Sequence, residues 1–250
     1  MSQDPYAAFA SSYDLIPSKF DSHEEEVIGF FRRLFKQHAV RTVLDCACGT
    51  GRDLLLFHSL RCKVVGADVS PAMLARAQEN LARHGLSLPL HLADYRDLPS
   101  HFAERFDAVA CLSTSLEHMP DDQQALAALR SMRAVLREGG VLVLEQGFTD
   151  SLWSLKPASL PVVATRDISR RFDLDYLGGR DLRITIVDTV VSPAHADVAP
   201  WSGVLHLLLK DDQERLLGEA GFRSVEFYGG FSFEPYDTSS SERLVTVARR

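Results

Sequence analysis

Long apolar runs are missing from this 250-residue chain. A membrane-spanning helix needs about 18 or more consecutive apolar residues, so none is expected. The opening Met1-Ser2-Gln3-Asp4-Pro5 lacks a basic region leading into an apolar stretch. No secretory leader is therefore expected, and the cytoplasm is the expected compartment. Cysteine is scarce: Cys46, Cys48, Cys62 and Cys111 all lie in or beside apolar segments. Cys46-x-Cys48 has no second pair and no histidines at zinc spacing. The thiols read as reduced core residues, and no metal is expected. Positive charge is in deficit too, with 27 Lys and Arg against 34 Asp and Glu, a net charge of -7. That balance argues against a nucleic-acid partner and for a small-molecule one. Arg32-Arg33, Arg170-Arg171 and Arg249-Arg250 are isolated pairs, which read as solvated surface.

What is present is an alternation. Short β-like runs at Thr42–Cys46, Lys63–Asp68, Leu88–Ala93, Phe106–Leu112 and Gly140–Gln146 are separated by helical patterns. Those helices read as Val27–His38, Pro71–His84 and Asp121–Arg137. Strand–helix alternation of this kind predicts parallel βαβ units. After Gln146 the pattern changes. Val162–Arg171, Leu182–Ser192 and Gly203–Leu209 are β-like with no long helix between them, and Gly178-Gly179 marks a turn. This predicts an antiparallel extension. Lys210–Ala220 reads as a helix stopped by Gly221, and Val225–Gly229 and Arg243–Ala248 as closing strands. The expected organisation is a lid segment over residues 1–22, a cofactor-binding core over 23–147, an antiparallel insertion capping the substrate over 148–210, and a helix with strands completing the core over 211–250. The oligomeric state is open, with a homodimer compatible.

The strongest signal is the run Val43-Leu44-Asp45-Cys46-Ala47-Cys48-Gly49-Thr50-Gly51-Arg52-Asp53. A strand ends in a tight turn with two glycines, and a helix follows. Glycine admits positive φ and close ligand approach, and the helix N-terminus offers free N–H groups. A dinucleotide fold looks similar, but its fingerprint wants a small residue where Leu54 stands. Asp45 before the turn also suits an ammonium rather than a pyrophosphate. Three acids stand at three successive strand ends. Asp45 is the first, Asp68 suits ribose hydroxyls, and Asp94 suits an adenine amino group, with Tyr95 or Met73 covering the ring. Leu112-Ser113-Thr114-Ser115 follows the fourth strand, where the chain would pass the reacting group. Acids converging on one sheet edge point to a single adenosyl ligand.

Asp45-x-Ala47-x-Gly49-x-Gly51 resembles the first motif of class I S-adenosylmethionine-dependent methyltransferases. The run from Val65 through Asp68, Val69 and Met73 to Leu74 resembles their second motif, and Phe106-Asp107 through Leu112 their fourth. The resemblance implies an α/β doubly wound, mostly parallel seven-stranded sheet with an antiparallel final strand, and S-adenosyl-L-methionine as cofactor. Lys36-Gln37-His38 and Ser115-Leu116-Glu117-His118-Met119-Pro120-Asp121 are similar to glycine and sarcosine N-methyltransferases, which also carry an antiparallel insertion. Sugar-amine N-methyltransferases share this layout. Those glycine enzymes hold the substrate carboxylate with an arginine before the last insertion strand. Here that loop reads Ala199-Pro200-Trp201-Ser202, with no arginine; a replacement would have to reach in from elsewhere, from Arg180 or Arg183.

The implied reaction is methyl transfer to a small molecule, an amine nitrogen before an oxygen. An amine near its own pKa needs positioning above all, whereas an oxygen needs a base, for which His118 is placed. Tyr13, in a segment that also holds Tyr6 and Phe9, is the candidate to close over the methyl group or the cofactor. Ser113, Glu117 (for a substrate ammonium), Tyr176, Trp201, His206 and Tyr228 are candidates for the substrate wall. The competing readings are an oxygen methyltransferase with His118 as base, an NAD(P)-dependent oxidoreductase, and a non-catalytic binding module of the same fold.

Overall fold

The computed structural model describes residues 4, 6, 7, 9–14, 23–165, 168–190 and 200–250. After a short helix α1 (Ala10–Tyr13), the core runs α2 (Glu25–Gln37), β1 (Thr42–Asp45), α3 (Arg52–Ser59), β2 (Lys63–Asp68), α4 (Pro71–Arg83), β3 (Leu90–Leu92), α5 (Leu98–His101) and β4 (Phe106–Cys111). A 3-10 turn, Leu116–His118, leads into α6 (Asp122–Val135) and β5 (Leu136–Gln146). The starts of the helices are legible in the side chains. Ser70 accepts the N–H of Met73 ahead of Pro71, and Asp121 accepts that of Gln124, each satisfying one otherwise orphaned donor.

The chain continues through α7 (Asp150–Leu155), β6 (Val163–Ala164), β7 (Ile168–Gly178), β8 (Asp181–Val190) and β9 (Trp201–His206). It closes with α8 (Lys210–Ala220), β10 (Ser224–Tyr228) and β11 (Leu244–Arg249). The main sheet has the order β10-β11-β5-β4-β1-β2-β3. β1 to β5 are parallel to one another, β11 is antiparallel to β5, and β10 is antiparallel to β11. Helices α2 and α3 bury apolar faces on one side of the sheet, α6 and α8 on the other. The order turns back between β1 and β4, which opens a crevice at the carboxyl ends of the strands. The second sheet, β6-β7-β8-β9, is antiparallel and packs Phe148, Leu174, Leu182, Ile184 and Leu205 into its own core.

Several boundaries differ from the sequence reading. β7 does not stop at Arg171 but pairs with β8 as far as Gly178, because Phe172, Leu174 and Tyr176 alternate with charged residues along one face. α7 is new, a six-residue helix capped by Thr149 and too short to show periodicity. The expected strands over 162–171 and 182–192 each run partly outside the described residues. All four cysteines are buried and unbonded. Arg170, expected on the surface, is only 4% exposed. It donates from Nε and Nη2 to the two carboxylate oxygens of Asp188 at 2.7 and 2.8 Å.

Candidate functional site

The glycine turn after β1 is wedged into the crevice. The N–H of Cys46 donates to Ala110 O and that of Cys48 to Ala67 O, both at 2.9 Å. Gly49 and Gly51 have φ of +50° and +89°, and they serve different ends. A Cβ on Gly49 would meet nothing within 4 Å, so its face is open, whereas one on Gly51 would stand 3.2 Å from Ala77 Cβ. Leu54 occupies the place of a third small residue, and close helix–strand packing is made from the other side. A Cβ on Gly66 of β2 would lie 2.8 Å from Leu54 Cδ1. A glycine inside an apolar strand signals such a close approach.

Asp68 is 9% exposed. Its Oδ2 accepts the Gly49 N–H at 2.8 Å and its Oδ1 the Ser70 N–H at 2.9 Å. Burial raises its pKa and these N–H groups oppose the rise. Each oxygen keeps a lone pair for a ribose hydroxyl. Beside it Val69 is 53% exposed, an apolar platform at a strand end. Asp45 is buried and accepts the Ala47 N–H at 3.3 Å, and burial together with Asp53 pushes its pKa well up. Asp53, one residue into α3, pairs with His23 at 2.8 Å, a contact that no sequence spacing signals. Asp94 lies two residues beyond β3, where the Arg96 fork grips it at 3.0 Å and overrides burial to keep it ionised. The Tyr95 hydroxyl donates to Ser115 O at 2.9 Å, tying the end of β3 to the loop after β4. The open face of Gly49, the lone pairs of Asp68 and the exposed Val69 together fit an adenosyl group with a charged tail.

The described part of the N-terminal segment covers this edge. Asp4 Oδ2 accepts from Ser70 Oγ at 2.8 Å and from the Ala72 N–H at 3.1 Å. Asp14 accepts from Thr50 Oγ at 2.5 Å, Arg76 Nε at 3.1 Å and Asn80 Nδ2 at 2.8 Å. Neither acid was singled out in the sequence, since a lone acid in an aperiodic stretch carries no signal. Phe9 and Ala10 pack on Met73, so Met73 lies beneath the segment. Trp201 stacks on Tyr6 at 5.5 Å and on Phe9 at 5.9 Å. Its indole lies across Gly203, where a Cβ would meet it at 2.5 Å. Arg170 sits over the Phe9 ring at 4.9 Å. Tyr13 packs edge-on to Phe9. Burial, then Asp53 and Asp68, push its phenol up to about 12, with Arg170 opposing. The rest of the expected lid, residues 1–3, 5, 8 and 15–22, lies outside the described residues.

After β4, Leu112 is buried, and Ser113 and Thr114 both take left-handed conformations, with φ of +58° and +62°. Two such residues in succession cost about 1–3 kcal/mol each and persist only where their surroundings hold them, and such strain clusters at functional sites. Glu145 does the holding. Its Oε2 accepts the Ser113 N–H at 2.8 Å, its backbone carbonyl the Thr114 N–H at 2.9 Å, and its Oε1 bonds Arg243 at 2.6 Å. The next turn carries Glu117 and His118. Glu117 is 1% exposed and its Oε1 has no hydrogen-bond partner. Burial, opposed by a backbone N–H and reinforced by Glu145, pushes it up to about 8. His118 Nε2 meets the Tyr6 hydroxyl at 3.0 Å, and burial lowers its pKa to about 4, so the imidazole is neutral.

The remaining wall candidates are engaged elsewhere. Tyr176 packs against Trp153 near the hairpin end and donates to Pro157 O. His206 spends both ring nitrogens on Asp181 and Asp122, at 2.8 and 2.9 Å. Tyr228 lies against Phe30 and Phe233 on the α2 side of the sheet. Arg180 pairs with Asp212 and Arg183 with Asp175.

Residues 43–140 match the family model described as a methyltransferase domain. The chain is 30% identical over 226 residues to a glycine/sarcosine N-methyltransferase of Aphanothece halophytica, covering 88% of this chain and 80% of that one. It is 29% identical over 185 residues to a dTDP-4-amino-2,3,4,6-tetradeoxy-D-glucose N,N-dimethyltransferase of Saccharopolyspora spinosa, covering 74% and 72%. Among solved structures, an S-adenosylmethionine-dependent methyltransferase from Clostridium acetobutylicum superposes with a TM-score of 0.82 at 17% identity, covering 98% of both chains.

Proposed function

Because the chain belongs to the class I S-adenosylmethionine-dependent methyltransferases, we propose that this enzyme methylates an amine nitrogen of a small molecule. S-adenosylmethionine supplies an electrophilic methyl group on a sulfonium sulfur. In this reading Asp45, Ala47, Gly49 and Gly51 hold its amino-acid end, and Asp68 receives the ribose. Val69, Asp94, Tyr95 and Leu112 surround the adenine, with Tyr13 and the segment above Met73 closing over it. Residues 23–147 then carry the cofactor, while Trp201 and Ser113 border the acceptor under the 148–210 sheet. The cytoplasm is the proposed compartment. Among the described residues, no helix is long and apolar enough to cross a membrane.

The observation that disfavours an oxygen acceptor with His118 as its base is the state of His118. An oxygen acceptor needs its proton removed by a base whose pKa lies near the working pH. His118 is desolvated to about 4 and engaged by Tyr6, which makes it a weak base. Relatives named for N-methylation of glycine, sarcosine and an amino sugar support the same reading. The test is methyl transfer from labelled cofactor to a panel of amines and phenols, with products located by mass spectrometry. An N-methyl product is expected, and His118→Ala should lower the rate tenfold or less. An O-methyl product with a thousandfold loss in that variant would make His118 the base.

A further inference from the structure

Glu117 is the one carboxylate among the described residues whose enclosed oxygen accepts no hydrogen bond. An unpaired buried carboxyl destabilises a fold, and a glutamine or leucine would fill the same space at less cost. Its surroundings are those of the site. It stands three residues beyond the strained Ser113-Thr114 pair, and next to the His118 that meets Tyr6. The nearby charged group is Glu145, itself committed to the Ser113 N–H and to Arg243. Among the described residues, the arginines of the second sheet are matched by carboxylates: Arg170 by Asp188, Arg171 by Asp173, Arg180 by Asp212 and Arg183 by Asp175. Among the described residues, a carboxylate on the acceptor would meet committed guanidinium groups and two glutamates. An ammonium group would meet an oxygen that lacks a donor.

Resting on the amine reading above, we propose that Glu117 receives the acceptor's ammonium group and takes its proton, and that the acceptor is an amine without a carboxylate. One ammonium N–H bond breaks, the proton goes to Glu117 Oε1, and the electron pair stays on nitrogen. That pair forms the N–CH3 bond as the S–CH3 bond breaks with its electrons left on sulfur. Burial brings the proton affinity of Glu117 to about 8, so at pH 7 the carboxyl is largely protonated before an acceptor arrives. The arriving ammonium drives that proton to solvent. The carboxylate left behind, with a proton affinity within reach of an amine's own, then takes the amine's proton.

Glu117→Gln tests this, since it keeps the shape and removes the acceptor of the proton. The probes are a 4-amino-4-deoxyhexose and benzylamine on one side, glycine and sarcosine on the other. The native enzyme should favour the carboxylate-free amines by at least a hundredfold in kcat/KM. Glu117→Gln should lose about a hundredfold or more on them at pH 7, the scale of a lost proton acceptor. That loss should shrink as the pH passes the amine's own pKa. Affinity for S-adenosylhomocysteine should stay within twofold, and Tm should hold or rise. The inference is overturned by any of four results: a variant within threefold of the native rate, glycine or sarcosine used as well as the other amines, no turnover of any probe while the cofactor product binds, or a pH-independent loss accompanied by falling Tm and cofactor affinity. Turnover of glycine would leave the amine reading standing, whereas a methyl group found on oxygen would remove that reading itself.

Discussion

In the proposed site, Asp68 is the side chain that joins the fold to the chemistry. Its two oxygens pin the N–H groups of Gly49 and Ser70, so the carboxylate shapes the glycine turn and the start of α4 while still offering lone pairs to the crevice. Hydrogen bonds to a charged acceptor are worth about 1.5–3 kcal/mol each. Asp68→Ala should therefore weaken S-adenosylhomocysteine binding by two such bonds and loosen the turn as well, without unfolding the domain. Calorimetry on a variant with native circular dichroism is the measurement. Unchanged affinity would remove Asp68 from the ribose site.

Among the elements, the N-terminal segment is joined to the core by a few polar anchors and one aromatic cluster. Asp4 reaches the start of α4, and Asp14 reaches Thr50, Arg76 and Asn80. Tyr6 and Phe9 stack on Trp201 of the cap sheet. An element held this way opens at low free energy, as active-site covers do. A ligand under it adds contacts only to the closed state. Hydrogen exchange over residues 4–14 should slow when S-adenosylhomocysteine is added, and Asp14→Ala should reduce that protection. Equal exchange with and without ligand would show that the segment does not close over the cofactor.

Across the whole molecule, His206 couples the cap sheet to the core. It lies on β9 and bridges Asp181 of β8 and Asp122 at the start of α6. Burial lowers its pKa, but the hydrogen bonds to the two carboxylates outweigh this and raise it overall. A histidine whose folded pKa lies above its unfolded value of about 6.5 contributes full stability below that value and loses it as the pH rises through the folded pKa. The native protein should thus lose Tm relative to His206→Gln as the pH rises from 6 toward 9, with the two converging at the alkaline end. Parallel melting curves across that range would show that the bridge carries no charge.

The amino-acid sequence by itself determined the main sheet and the glycine turn at its carboxyl edge, because those signals are local. A strand ending in an acid and a glycine turn encodes its own geometry, as Asp45 with Gly49 and Gly51 does. Apolar spacing assigned α2, and cap, proline and glycine-stop residues assigned α4, α6 and α8, to within a few residues. What gathers around that edge was decided only by tertiary structure. Nothing in the spacing of Asp4, Tyr6, Asp14 and His23 tells that they converge on residues from Thr50 to His118. Nor does it tell that Arg170 is buried against Asp188 rather than solvated. Histidine and tyrosine read alike from sequence whether they line a pocket or brace a sheet. Partners brought from tens of residues away separated His206, bound between two carboxylates, from Glu117, whose Oε1 has none.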